Sequence, residues 1–190
     1  MSDREKTSEA LERIATLAES VAVPLGLSVV AVKFGQAGKR RTLELTIHRA
    51  GSSVSLDDCQ AVSRGLEQLL DDAQTKGAPL VAGAYMLEVQ SPGMDRELKT
   101  DREFRVFAGR RVQVQMRQPV EDLGNTFIGT LCGVNDNVLT VTNAKPQHQK
   151  KKETPIVREE VTVDLSKCTH VRLYSELLEK SSDRKAETHN

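Results

Sequence analysis

The sequence predicts an α+β domain followed by a small all-β barrel, and three features of the chain support this prediction. In the first half, apolar residues recur with helical spacing in two segments and alternate like strands in three others. In the second half, one short helical segment precedes about five short strands separated by turns. The turn-forming sequence Ser91-Pro92-Gly93 lies between the two patterns. The expected divisions are domains at residues 1–98 and 99–176 and a charged, disordered tail at 177–190.

The first helix and the first two strands follow from the spacing of apolar residues. From Leu11 to Ala22 these residues recur every three or four positions, as in an amphipathic helix that ends before Pro24. Residues 27–34 are rich in β-branched side chains, and apolar residues alternate with polar ones in 42–48. We expect these two segments to form an antiparallel hairpin.

The second helix and the third strand complete the first domain. Ser55 can cap a helix, and Asp58 lies three residues later, at the position of a capping-box acid. Residues Tyr85 to Val89 alternate like a strand with one buried face. Two helices on a three-stranded sheet make an α+β sandwich.

The second domain is predicted to be an SH3-like or Sm-like barrel. The spacing of Thr100 and Glu103 is that of a capping box for a short helix. The sequence Phe127-x-Gly-x-Leu131 precedes an Asp-Asn turn and is typical of the bent strand of these barrels, because a glycine in mid-strand permits a sharp bend. The basic stretch at 143–158 is long for a barrel loop, so we expect an exposed, mobile hairpin extension there.

The composition excludes several functional classes. The 27 Lys and Arg residues equal the 27 Asp and Glu residues, so the chain lacks the strongly basic character of a protein that coats nucleic acid through phosphate contacts alone. The chain contains no apolar run of about eighteen residues and no secretory signal. Its three widely spaced cysteines fit reduced thiols. The sequence therefore predicts a cytoplasmic protein with no membrane partner.

The catalytic and metal-binding motifs that the chain approaches are all incomplete. The Gly-Lys pair of the first hairpin lacks the first glycine and the hydroxyl residue of a phosphate-binding loop, and Ser91 lacks the preceding glycine of a nucleophile elbow. Cys168 and His170 are two soft metal ligands without a supporting cluster. Asp57 and Asp58 lie in the first turn of a helix, where the helix dipole favours acids. We therefore predict no catalytic residue, no metal site and no cofactor.

Basic residues gather at three places, which are the candidate contacts with RNA. The candidates are Lys39, Arg40 and Arg41 in the first hairpin, Arg110 and Arg111 at the start of the barrel, and Lys150, Lys151 and Lys152 in the basic stretch. Each group can also be a solvated charge that aids solubility. The four Phe and two Tyr lie nearly all at core-like positions, so base-stacking platforms are not expected. Contact with RNA would then involve phosphates and shape.

An acid and a guanidinium, Asp95 and Arg96, directly follow the turn between the two domains. Two roles are open for this pair. Asp95 can cap the turn while Arg96 ties the domains together, or Arg96 can belong to a contact surface. The candidate motif and domain-junction residues are Ser91, Pro92, Gly93, Asp95 and Arg96.

The stretch Leu87-Glu-Val-Gln-Ser-Pro-Gly-Met-Asp-Arg96 resembles the motif of the bacterial ribosome maturation factor RimP family. Gln90, Met94 and Glu97 depart from the usual residues, and none of these departures removes the turn or the Asp-Arg pair. The resemblance extends over most of the chain and includes Gly109-Arg110-Arg111. It implies a non-catalytic, monomeric assembly factor that binds the free small (30S) ribosomal subunit, with 16S rRNA and small-subunit proteins, notably ribosomal protein twelve, as partners.

Two alternatives from other classes stay open. The first is an Sm-like RNA-binding regulator that acts as an oligomeric ring, formed by pairing of exposed barrel edges. The second is a nuclease that uses Asp57 and Asp58 with magnesium.

Overall fold

The computed structural model describes residues 3–93, 95–147 and 156–174, and the chain divides into two compact units, Met1–Pro92 and Gly93–Asn190. The division therefore precedes Leu98, the residue after which the sequence suggested a boundary. Leu98 is 4% exposed, and its N–H donates to Val171 O at 2.8 Å within the second unit. Among the described residues, no helix has both the length and the apolar character needed to cross a membrane.

The first unit contains two helices and a three-stranded sheet. In chain order its elements are α1 (Asp3–Ala22), a 3₁₀ turn (Val23–Leu25), β1 (Ser28–Ala37), β2 (Arg40–His48), α2 (Leu56–Thr75) and β3 (Met86–Gln90). The strand order is β1-β2-β3, with β1 antiparallel and β3 parallel to β2. A parallel pair needs a crossover connection, and α2 lies in that connection.

The core of the first unit lies between the helices and the sheet. Helix α1 contributes Ile14 and Ala18, and α2 contributes Val62 and Leu66, all four of which are fully buried. These positions recur at the three- and four-residue spacing that predicted amphipathic helices. Strand β2 contributes Leu43, Leu45 and Ile47, each fully buried. The packing therefore follows the apolar periodicity of the sequence.

The second unit contains a short helix and a five-stranded antiparallel sheet. In chain order its elements are α3 (Asp101–Val106), β4 (Arg111–Val120), β5 (Gly124–Asn135), β6 (Val138–Pro146), β7 (Arg158–Asp164), a 3₁₀ turn (Leu165–Lys167) and β8 (Cys168–Leu173). The strand order is β7-β6-β5-β4-β8. The predicted number of strands is thus found, while closure of this sheet into a barrel stays a prediction.

Gly129 of β5 lies against the backbone of β6. A Cβ atom at this position would lie 2.8 Å from Thr142 O and would overlap the Val141 side chain. The pairing register of β5 and β6 shifts between Ile128 and Thr130. The absent side chain therefore permits both the close approach and the irregular pairing, as expected for a glycine in mid-strand.

Part of the predicted extension at 143–158 is regular strand. Lys145 and Pro146 belong to β6 and pair with Ile128 and Phe127, so the expectation of a loop from residue 143 onward is wrong there. Residues 148–155, which include Lys150, Lys151 and Lys152, lie outside the described residues, as does the predicted tail at 177–190.

A short segment pairs with the edge of β8. Leu98 N–H donates to Val171 O, and Leu173 N–H donates to Arg96 O at 2.9 Å. Glu97 lies between these bonds and forms an antiparallel bridge with Arg172. Residues 96–98 thus act as a short additional strand, which satisfies backbone groups that a sheet edge otherwise leaves open.

Candidate nucleic-acid interface

The tip of the β1–β2 hairpin presents two of the predicted contact residues. Ala37 pairs with Arg40 across a two-residue turn made of Gly38 and Lys39. Gly38 has φ 62°, which suits a tight hairpin turn. Lys39 and Arg40 are exposed, and neither makes an ion pair with another described residue. Two cations are therefore held at the end of a regular hairpin, available to an anionic partner.

Arg41, the third residue of this group, is held against its own unit. Its Nη1 donates to Ala82 O at 2.7 Å, and its guanidinium carbon lies 5.9 Å from the centre of the Phe34 ring. Both contacts restrict the side chain, and the ring face attracts the cation. Arg41 therefore supports the hairpin, although the residue is exposed.

Arg110 has a hydrogen-bonded backbone and an exposed side chain. Its N–H donates to Phe107 O at 3.0 Å, and its carbonyl accepts from Leu131 N–H at 2.9 Å. The preceding Gly109 has φ 82°, a conformation that favours glycine. The Arg110 side chain is exposed and makes no ion pair with a described residue. This residue meets the requirement for a phosphate contact at a defined position.

Arg111 differs from its neighbour. Its guanidinium carbon lies 5.3 Å from the centre of the Tyr174 ring, and the residue is only partly exposed. Tyr174 N–H also donates to Arg111 O at 2.9 Å. The structure therefore separates the predicted Arg110–Arg111 pair into one exposed cation and one cation that packs within the second unit.

Arg96 of the turn motif binds a carboxylate in the second unit. Its Nε and Nη2 donate to Glu103 Oε1 at 2.8 and 2.7 Å. The other oxygen of Glu103 accepts from Lys99 N–H at 2.8 Å and from Thr100 N–H at 3.1 Å. Thr100 Oγ1 in turn accepts from Glu103 N–H, which completes the predicted capping box of α3.

These contacts keep Glu103 charged although the residue is 4% exposed. Burial alone would raise the pKa of Glu103, but the hydrogen bonds from Lys99 N–H and the Arg96 guanidinium outweigh burial and lower it. A buried carboxylate with donors to both oxygens is a stable structural group. The contacts of Arg96 thus fix the start of α3.

The other motif residues make fewer contacts. Asp95 is exposed, and its carboxylate makes no hydrogen bond with a described residue, so the predicted cap is not formed. Gly93 does not adopt a positive φ, so its conformation does not require a glycine. Its carbonyl accepts from Arg96 N–H at 3.3 Å. Ser91 and Pro92 precede this turn and end the first unit.

Of the two acids at the start of α2, Asp58 caps the helix. Asp58 Oδ1 accepts from Arg49 Nη2 at 2.7 Å, and its Oδ2 accepts from Ser55 N–H at 2.9 Å. The Arg49 hydrogen bond, followed by that of Ser55, lowers the pKa of Asp58 to about 2. Both Asp58 oxygens are thus engaged, while Asp57 is exposed.

Cys168 and His170 each contact a different neighbouring side chain. Cys168 Sγ lies 3.5 Å from Met116 Sδ, and burial, followed by the charge of Asp164, raises the thiol pKa to about 11. His170 Nδ1 lies 2.8 Å from Glu97 Oε1. In the part of the chain that the structure describes, no group of three or more His, Cys, Asp or Glu is arranged to hold a metal ion.

Sequence reasoning missed the partners of the arginines. The Thr100–Glu103 capping box was recognisable from its spacing, but nothing in the sequence indicated that Glu103 also binds Arg96. The Arg111–Tyr174 contact joins residues that are distant in sequence and adjacent only through sheet pairing. These contacts depend on tertiary structure, which local spacing does not encode.

Comparison with known proteins finds a family model, a sequence relative and two solved structures. A family model described as the RimP N-terminal domain matches residues 17–95. The protein named ribosome maturation factor RimP of Rippkaea orientalis (strain PCC 8801 / RF-1) is 40% identical over 116 residues, which cover 61% of this chain and 72% of the relative. Among solved structures, a heptameric archaeal Sm protein matches with a TM-score of 0.30 and 14% identity over 38% of this chain and 96% of its own. The P. aerophilum SmAP1 heptamer matches with the same TM-score, identity and share of this chain, and with 88% of its own.

Proposed function

Because the chain belongs to the RimP family of ribosome maturation factors, we propose that it binds the immature small (30S) ribosomal subunit and assists its assembly without catalysing a reaction. In this proposal the protein acts as a monomer in the cytoplasm, where 16S rRNA and small-subunit proteins, ribosomal protein twelve among them, are its partners. The free thiols of Cys59, Cys132 and Cys168 are compatible with that reducing compartment.

The observation that carries the proposal is the presence of exposed cations on fixed backbone. Lys39 and Arg40 extend from a two-residue hairpin turn, and Arg110 follows a backbone that is hydrogen-bonded on both sides. None of the three is neutralised by an acid among the described residues. RNA phosphates are the partners that such cations bind, and binding through a few local contacts suits a chain without net charge.

Co-sedimentation with small subunits tests this proposal. The variants are Lys39→Glu with Arg40→Glu, and Arg110→Glu alone. We expect the protein to travel with free small subunits in a sucrose gradient and each variant to bind more weakly. Each lost phosphate contact should reduce the slope of log affinity against log salt by about one.

The matched control reverses the charge of two exposed arginines outside the candidate contact groups. Arg13 and Arg64 are exposed on α1 and α2, and the double variant Arg13→Glu, Arg64→Glu changes the net charge as much as the hairpin variant does. Equal loss of binding in both double variants would show that net charge alone matters. Unaltered co-sedimentation of the hairpin and Arg110 variants would refute the assignment of these contacts.

The alternative, an oligomeric Sm-like ring, receives less support. A ring that forms by edge pairing needs open strand edges on both sides of the sheet. Residues 96–98 already pair with β8 through Leu98 and Leu173. Light scattering separates the two functions, because a ring would scatter as a stable oligomer at micromolar concentration.

The nuclease alternative is also less favoured. Both carboxylate oxygens of Asp58 accept hydrogen bonds from Arg49 and Ser55, so the residue is committed to capping α2. A magnesium ion would have to displace these donors. RNA turnover that falls in an Asp58→Ala variant, with the fold retained, would support the nuclease instead.

A further inference from the structure

The two edges of the sheet in the second unit differ in their backbone pairing. The β8 edge is partly covered by residues 96–98. Strand β7, at the opposite edge, pairs with β6 and with no second strand among the described residues. An uncovered strand edge offers a row of N–H and C=O groups to an added strand. The residues beside β7 determine which kind of strand this edge can bind.

The C-terminal half of β7 borders a groove of about 460 Å³. Its apolar lining includes Val163 of β7 and Met116 and Val120 of β4, and its charged lining consists of Arg117, Asp164 and Lys167. Residues 117–119 of β4 lie outside both of the pairings that β4 makes with β5 and β8. The groove thus lies between two strand segments that are not paired with each other, and it is wide enough for an apolar side chain of an added strand.

The N-terminal half of β7 is acidic. Glu159 and Glu160 are exposed and make no ion pair with a described residue. Among the described residues of this half, Arg158 is the cation, and it is bound by Asp122 at 3.0 Å and by Glu121 at 3.7 Å. Within that described part, four carboxylates thus accompany one guanidinium, while Arg117 and Lys167 lie at the groove. This charge repels RNA and attracts a basic polypeptide.

We propose that the β7 edge binds an extended, basic segment of a partner protein as an added β-strand. Main-chain hydrogen bonds to β7 give the segment its strand conformation, and alternate side chains then face the same side. Successive side chains of β7 face opposite sides, so the basic side chains of the segment lie beside Glu160 on one face. An apolar side chain enters the groove beside Val163 on the other face, which Val163 shares with Glu159. This site is distinct from Lys39, Arg40 and Arg110, and it does not depend on the function proposed for them.

A second copy of this chain fits the edge less well than a basic segment does. Pairing of two β7 strands would bring a second set of the same unpaired acids, Glu159 and Glu160, to the interface. Like charges at an interface are unfavourable. A basic segment meets the same edge with opposite charge.

The test uses the full chain labelled with ¹⁵N and a synthetic peptide of about ten residues in which lysine alternates with valine. We expect amide shift changes in β7 and around the groove. The double variant Glu159→Lys, Glu160→Lys should bind the peptide about tenfold more weakly, because the charge attraction is reversed. The variant Glu159→Gln, Glu160→Gln should show a smaller loss, since it removes the charge without reversing it.

Three controls make the proposal refutable. The variant Asp71→Lys, Asp72→Lys changes the charge of exposed acids on α2 by the same amount and should bind like the unaltered protein. A peptide with alternate backbone nitrogens methylated cannot pair as a strand along that edge and should not bind. A peptide with glutamate in place of lysine should not bind either.

Several outcomes would overturn the proposal. Equal binding of the methylated peptide, or equal losses in the Glu159/Glu160 and Asp71/Asp72 variants, would indicate general charge attraction. Shift changes confined to other elements would place the peptide elsewhere. A concentration-dependent dimer that the Glu159→Lys, Glu160→Lys variant abolishes would assign the edge to a second copy of the chain.

Discussion

Arg96 and Glu103 form a largely buried ion pair in which two guanidinium nitrogens, Nε and Nη2, donate to a single carboxylate oxygen at 2.8 and 2.7 Å. The other oxygen is occupied by the backbone N–H groups of Lys99 and Thr100. The residue that ends the Ser-Pro-Gly-x-Asp-Arg motif is therefore tied to the first turn of α3. The same residue accepts from Leu173 N–H through its carbonyl, so one arginine joins a helix start to a strand.

Replacing Arg96 should destabilise the second unit. In Arg96→Ala one oxygen of Glu103, whose side chain is 5% exposed, loses both of its donors. Leaving a buried charged acceptor partly unsatisfied costs about 1–3 kcal/mol, so we expect a loss of about 2 kcal/mol in unfolding free energy. This loss can be measured by urea unfolding, with hydrogen exchange of the β8 amides as the readout for the second unit. Arg105→Ala, which removes an exposed arginine of α3, is the control and should change little. Equal stability of Arg96→Ala and the control would contradict the structural role.

Acid should weaken the first unit through Asp58. The pKa of Asp58 falls from 3.8 to about 2 on folding, chiefly through the Arg49 hydrogen bond and secondly through that of Ser55. Because the folded pKa is the lower one, the stabilisation is complete above pH 3.8 and is lost as the pH falls through about 2. Unfolding measured across this interval should depend less on pH in Asp58→Asn. The control Asp57→Asn changes an exposed neighbour and should retain the original pH dependence. An unchanged slope in Asp58→Asn would show that other groups cause the acid sensitivity.

The sequence predicted the elements more completely than the site. The apolar spacing of Ile14 and Ala18, and the alternation of Leu43, Leu45 and Ile47, report directly on which faces are buried, and these faces form the core. The N-terminal helix, the three-stranded sheet and the five strands of the second unit followed from such local patterns.

The side-chain contacts could not be predicted in the same way. Arg41 contacts Ala82 O, which lies 41 residues further along the chain. The ring under Arg111 belongs to Tyr174 and comes close only because β8 pairs with β4. The boundary between the units follows Pro92, whereas the sequence suggested one after Leu98. The difference arises because Leu98 pairs with Val171 of the final strand, which local patterns do not reveal. The sequence shows where the arginines lie along the chain. Only the folded sheet shows which of their side chains are held by contacts with distant residues.

Gly129 should not tolerate a side chain. In Gly129→Ala the new Cβ would lie 2.8 Å from Thr142 O and 3.2 Å from Ala144 Cα, and backbone atoms cannot turn away as a flexible side chain can. Overpacking of this kind costs about 1–3 kcal/mol, and we expect a loss in that range, measured by thermal or urea unfolding. Gly93→Ala is a suitable control, because its Cβ would have one ordinary contact, at 3.6 Å from Asp95 Oδ1, and its φ is not positive. Equal stability of the two variants would indicate that β5 and β6 can separate without cost.

Reversing the charge of Arg111 should destabilise the second unit, whereas reversing the charge of Arg110 should not. In Arg111→Glu the guanidinium above the Tyr174 ring is replaced by a carboxylate, which the negative ring face repels. A cation–π contact at such a site contributes about 0.5–1 kcal/mol, so we expect a loss of about 1 kcal/mol. Arg110→Glu alters an exposed side chain and should change the unfolding free energy by less than about 0.5 kcal/mol. Unfolding measured beside co-sedimentation therefore separates the two residues, since Arg110→Glu should lose small-subunit binding with its stability intact. If Arg111→Glu is as stable as the unaltered protein, the Tyr174 contact contributes nothing, and any loss of its binding would then indicate a direct contact of Arg111 with the subunit.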